Sequence, residues 1–72
     1  MSNQLHILVI DDEYQILRAL RTILTARQFR VSTASTGEEG LALAAASQPD
    51  AIILDLSLPD MDGVMVCKRL RE

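Results

Sequence analysis

Three aspartates carry the chemistry open to this sequence. Asp11 and Asp12 follow the apolar run Ile7-Leu-Val-Ile10, and Asp55 follows a second run, Ile52-Ile-Leu54. Short β-favouring apolar runs of this kind mark strands buried on both faces, and in an open parallel α/β sheet the carboxyl ends of the strands form the edge where ligands bind. If the two strands are parallel neighbours, three carboxylates meet in one crevice. Unit charges ~4 Å apart repel by about 4 kcal/mol at an effective dielectric of about 20, so such a cluster needs a neutralising partner. Oxygen donors with no His or Cys nearby favour Mg²⁺, which keeps several waters and accepts one or two carboxylates plus a phosphate.

The elements that must place these groups are legible in order. After a short polar lead, Met1 to Gln4, and His6 at the head of the first strand, apolar residues Ile16, Leu17, Leu20, Ile23 and Leu24 recur at helical spacing between Glu13 and about Gln28, with Arg18, Arg21 and Arg27 mostly elsewhere on the circumference. Asp12 is placed to cap this helix, which is its metal-free role. Phe29 to Ala34 forms a second strand, less apolar and suited to a sheet edge. Thr36-Gly-Glu-Glu39 has the form of a capping box, so Glu38 and Glu39 serve helix initiation rather than catalysis. The helix it opens runs through Leu41, Leu43 and alanines 44 to 46, whose small side chains allow close packing on the sheet, and ends at Ser47-Gln-Pro49. Asp50 leads into the third strand. Pro59 and Gly63 break the chain after Asp55. From Gly63 onward the pattern is helical again, with Val64, Cys67 and Leu70 facing a core and Lys68, Arg69 and Arg71 facing water. Asp60 and Asp62 belong to the loop and the helix start as turn and cap residues. His6 is expected at the surface or sheet edge, at the wrong end of its strand to reach the aspartates.

The expected organisation is β-α-β-α-β-α, with right-handed crossovers and parallel strands ordered 2-1-3. Seventy-two residues, 49% hydrophobic but only 3% aromatic, make at most one small domain with an aliphatic core. A net charge of −3 offers no basic patch for nucleic acid. The single cysteine, Cys67, excludes an internal disulfide and a Cys-based zinc site. With no spanning-length apolar run and no signal-peptide pattern, a cytoplasmic protein is expected.

The acidic pair after the first strand, together with Asp55-Leu-Ser-Leu-Pro-Asp-Met-Asp-Gly63, resembles the receiver domain of two-component response regulators, in which a phosphoaccepting aspartate is followed four residues on by proline and four further on by glycine, here Pro59 and Gly63. The resemblance implies a three-layer flavodoxin-like α/β fold and a signalling domain rather than an enzyme, with a sensor histidine kinase as phosphodonor. It makes Asp55 the phosphoacceptor, Asp12 and Asp55 direct Mg²⁺ ligands, Asp11 an assistant, and Ser57 a ligand through its backbone carbonyl. It also implies that residues 1–72 hold the first three βα units of the domain, without the fourth and fifth strands and the Ser or Thr and Lys they carry. Weak Mg²⁺ binding, slow or absent phosphorylation and impaired switching are then expected. Strand three, the most apolar and central in the complete fold, would be left with a free edge, which predicts pairing of two copies through it. The alternative function is a self-associating half-domain without signalling activity. A phosphatase of the haloacid dehalogenase type fits less well, because such enzymes place a second aspartate two residues after the nucleophile, and Ser57 stands there.

Overall fold

A computed structural model describes residues 4–71. Strand β1 (His6–Ile10), helix α1 (Tyr14–Ala26), strand β2 (Arg30–Ala34), helix α2 (Gly37–Ser47), strand β3 (Ala51–Leu54) and helix α3 (Gly63–Leu70) succeed one another, and the strands form one parallel sheet ordered β2-β1-β3. This is the topology that the alternation of periodicities predicted.

Of the three strands, β1 is the one buried throughout. Leu8 and Ile10 point to one face, where they join Ala34, Leu58 and Val66 beneath α2 and α3. Ile7 and Val9 point to the other, against Leu17 of α1. Three layers result from that double burial, since an all-apolar strand needs a cover on each face. The strand registers put Ala51 and Ile53 on the α1 face beside Ile7 and Val9, but α1 lies over β1 and β2. Ile53 is therefore 41% exposed, and β3 is an edge strand half-covered on one face only, unlike the doubly buried strand its composition suggested.

Local packing corrects several helical expectations. Only Leu17 on α1 is buried, with Leu20 and Leu24 packed beside it, while Ile16 and Ile23 face outward. On α3 it is Val66 that is fully buried, whereas Val64 is 54% exposed and Cys67 half-buried. Of the three residues expected to face the core, Leu70 packs against it, so the spacing gives the helix and part of its phase. The rest is set by Gly63, whose Cα lies so close to the Leu56 backbone that a Cβ would collide with it. Helix α2 comes closest to the sheet at Gly40, where a Cβ would strike Ile10, and a Cβ on Gly37 would strike Met61 of the loop after β3; of its expected alanines, Ala44 packs on the core. Ala45 and Ala46 are exposed.

Helix ends are set by the expected residues with one exception. Thr36 Oγ1 accepts the Glu39 backbone N–H at 3.1 Å, and Glu39 Oε1 accepts the N–H of Ser35 at 2.9 Å, one residue before the usual capping-box partner. Gln48 closes α2 in the left-handed region (φ 47°), and Pro49 comes next. Asp62 caps α3 by accepting the Val64 N–H at 2.9 Å. The exception is Asp12, which caps nothing. The residue before α1 is Glu13, without a side-chain cap, and it is Asp11 Oδ1 that accepts the Glu13 N–H at 2.9 Å.

Histidine 6 departs furthest from expectation. Its ring is buried, 4% exposed, with Nε2 at 2.8 Å from Ser32 Oγ, while its backbone N–H donates to Asp50 Oδ2 at 2.7 Å. Three elements are pinned together there, at the amino end of the sheet.

Candidate functional site

At the opposite end of the sheet, β1 and β3 lie side by side in parallel, and the chain leaves both of them from the same edge. The register of each strand fixes the direction in which its carboxyl-terminal aspartate leaves the sheet. The Asp11 N–H donates to the Ala34 carbonyl and the Asp55 N–H to the Ile10 carbonyl, so both aspartates are held by backbone bonds one step beyond the strands. Asp11, Asp12 and Asp55 thereby converge, with one carboxylate oxygen from each within 4.8 Å of the others; Asp11 and Asp55 are half-buried and Asp12 is exposed. The three residues singled out from sequence are thus brought together.

Their hydrogen bonding is one-sided. Asp55 Oδ1 accepts the Ser57 N–H at 3.0 Å and Asp11 Oδ1 accepts the Glu13 N–H at 2.9 Å, two short turns of the same kind. Each bond fixes a carboxylate orientation and leaves its second oxygen available. Asp12 has no hydrogen-bond or ion-pair partner among the described residues. At 4.8 Å a pair of unit charges repels by about 1 kcal/mol in water and about 3 kcal/mol at an effective dielectric of about 20. An oxygen-only donor set with spare lone pairs and uncompensated charge suits a hard divalent cation. Ser57 is exposed in the loop after Asp55.

That loop is anchored at several points. Leu58 is buried in the core below α2 and α3, and the Gly63 N–H donates to the Leu56 carbonyl at 3.2 Å. Asp60 reaches across to α2, where Oδ1 accepts the Gly37 N–H at 2.8 Å and Oδ2 accepts the Glu38 N–H at 3.0 Å. Those two bonds hold its carboxyl below the ordinary carboxylate value. Sequence reasoning assigned Asp60 to a local turn. Its partners lie more than twenty residues upstream, and the only sequence cue was an acidic residue available to a helix whose own box used Thr36 and Glu39.

Residues 7–72 match the family described as the response regulator receiver domain. The chain is 60% identical over 65 residues to the transcriptional regulatory protein KdpE of Mycobacterium tuberculosis, covering 90% of this chain and 29% of that protein. It is 48% identical over 66 residues to the alkaline phosphatase synthesis transcriptional regulatory protein PhoP of Bacillus subtilis, covering 92% and 28%. The chain thus spans under a third of the length of these curated relatives. Among solved structures, the chemotaxis response regulator CheY4 of Vibrio cholerae superposes with a TM-score of 0.94 at 32% identity, over 96% of this chain and 57% of that one. A response regulator from Chloroflexus aurantiacus gives 0.92 at 34% identity, over 97% and 57%. With the three-stranded 2-1-3 sheet and the clustered aspartates already in place, this match over nearly the whole chain leads to one conclusion: the chain belongs to the response regulator receiver domain family.

Proposed function

We propose that Asp55 accepts a phosphoryl group in a two-component signalling reaction, with Mg²⁺ held by Asp11, Asp12, Asp55 and the Ser57 backbone carbonyl. The observation that carries this reading is the convergence of three carboxylates from two strands within 4.8 Å, without a cation of the protein's own to balance them among the described residues. When bound, Mg²⁺ supplies positive charge against the carboxylates and against the negative charge that builds on the transferred oxygens.

The residues divide the remaining work. The Ser57 N–H holds Asp55 Oδ1, which leaves Oδ2 free to attack phosphorus in line with the leaving group. An O–P bond forms as the P–N bond of a phosphohistidine donor breaks; the bonding pair stays on the imidazole nitrogen, and the product is an aspartyl phosphate. With acetyl phosphate the bond broken is P–O, and acetate departs. Asp11 is fixed by the Glu13 N–H and Asp12 has no partner among the described residues, so both keep acceptor oxygens for a ligand in the crevice. The donor is a sensor histidine kinase of the cytoplasm, and the domain acts as a phosphoacceptor rather than a turnover enzyme.

We also infer that residues 1–72 are the first three βα units of the receiver. Incubation with acetyl phosphate, followed by intact mass, tests the proposal. Slow, Mg²⁺-dependent gain of one phosphoryl group that disappears in Asp55→Asn supports it, and a modification that persists in Asp55→Asn refutes it.

A second reading, self-association without signalling, is favoured by the free outer edge of β3. Among the described strands β3 stands at the edge of the sheet, with β1 on its inner side and the Ile53 side chain exposed. Two copies pair through this edge. Light scattering that finds only monomer at high micromolar concentration excludes it.

A further inference from the structure

We infer that Asp60 is a positioning residue of the aspartate site, tying the loop that carries Asp55 and Ser57 to the first turn of α2; this rests on the proposed reading of that site as a Mg²⁺ and phosphoryl site. Two independent contacts make the tie. The Asp60 carboxylate takes both the Gly37 and the Glu38 N–H groups, at 2.8 and 3.0 Å, so each of its oxygens is committed to α2. The next residue, Met61, packs on Gly37 so closely that no Cβ would fit there, and Val66 of α3 lies against the same spot. Bonds and packing therefore converge on one point of α2, and a shift of the loop would have to break both.

A helix needs only a few of its first N–H groups satisfied by side chains, and α2 already has Thr36 on the Glu39 N–H. Asp60 supplies the two that Thr36 does not reach, from a residue 23 positions away along the chain. Its bonds thus fix tertiary position as well as a helix end. Between Asp55 and Asp60 the loop has one buried side chain, Leu58, and Leu56, Ser57 and Pro59 are exposed. Without Asp60 the loop keeps Leu58 and the Gly63 N–H bond to the Leu56 carbonyl but loses its tie to α2, so the Ser57 N–H that orients Asp55 Oδ1 and the Ser57 carbonyl beside it would be held less firmly.

Two caps of the same helix separate this role from simple helix capping. Asp60→Ala removes a cap and the tie, and Thr36→Ala removes a cap only. In the full chain, Mg²⁺ affinity measured by titration should fall roughly tenfold in Asp60→Ala, the lower end of what lost support behind metal ligands costs, and stay within about twofold in Thr36→Ala. Backbone order parameters at residues 56–58 should drop in Asp60→Ala and not in Thr36→Ala. Asp60→Asn, which keeps one acceptor, should lie between wild type and Asp60→Ala, and serves if the alanine variant does not fold. Equal effects of Asp60→Ala and Thr36→Ala, or loop order unchanged on removal of Asp60, would overturn the inference. A wild-type chain that takes up no Mg²⁺ would sink the metal reading alone, because the order parameters still decide the tie.

Discussion

The two ends of the sheet use similar residues in opposite ways. At the amino end, Asp50, His6 and Ser32 bond to one another across β1, β2 and the turn before β3. At the carboxyl end, Asp11, Asp12 and Asp55 face one another with a single backbone N–H on each of two carboxylates and none on the third. Asp50 accepts one backbone N–H, as Asp11 and Asp55 do, but it stands outside the carboxylate cluster, whereas the three aspartates of the other end crowd one another and are available to a ligand. The difference lies in the neighbours, a histidine and a serine at one end and other carboxylates at the other, and it turns each end into a control for the other.

Substitution at the amino end should give the largest change in stability. His6→Ala removes a buried ring and leaves Ser32 without its partner, and should lower the unfolding free energy by about 2–3 kcal/mol in urea titration while leaving Mg²⁺ affinity unchanged. A changed Mg²⁺ affinity would mean that the two ends are coupled. Next in size, Asp12→Asn should weaken Mg²⁺ binding by at least about tenfold, roughly 1.4 kcal/mol, whereas Asp50→Asn should not. Without Mg²⁺ the sign reverses. Relief of repulsion at 4.8 Å should make Asp12→Asn more stable than wild type by about 1 kcal/mol, and loss of the His6 N–H acceptor should make Asp50→Ala less stable by a similar amount.

The smallest effect concerns acid. Asp60 titrates below its ordinary value of 3.8 because Gly37 and Glu38 donate to its charged form. A carboxyl depressed in the folded state adds stability that is present above pH 3.8 and lost as pH falls through its lower folded value. Stability measured from pH 5 downward should therefore decline less steeply in Asp60→Asn than in wild type. An unchanged slope would mean that the two bonds do not favour the ionised form.

Much of this was legible in the chain. Apolar runs ending in aspartate gave the site, because a strand's carboxyl end is fixed by where its hydrophobic run stops. The Thr36-x-x-Glu39 box placed a helix start to the residue. What the sequence hid were contacts made at a distance: His6 bonds to residues 26 and 44 positions away, and Asp60 bonds across more than twenty. Periodicity also placed only part of the face of the eight-residue α3: it put Val64 inward, whereas Val66 is buried and Gly63 lies close against Leu56. Of the alanines of α2, Ala44 packs on the core as the run suggests, but the closest approach to the sheet is a glycine's, because Ile10 leaves no room for any Cβ at position 40.

The most direct test of the contrast between the two ends is a Mg²⁺ titration followed through backbone amide shifts. Saturable shifts at Asp11, Asp12, Asp55 and Ser57, with His6, Ser32 and Asp50 unmoved, are the predicted result. Shifts spread equally over both ends, or confined to the amino end, would contradict it.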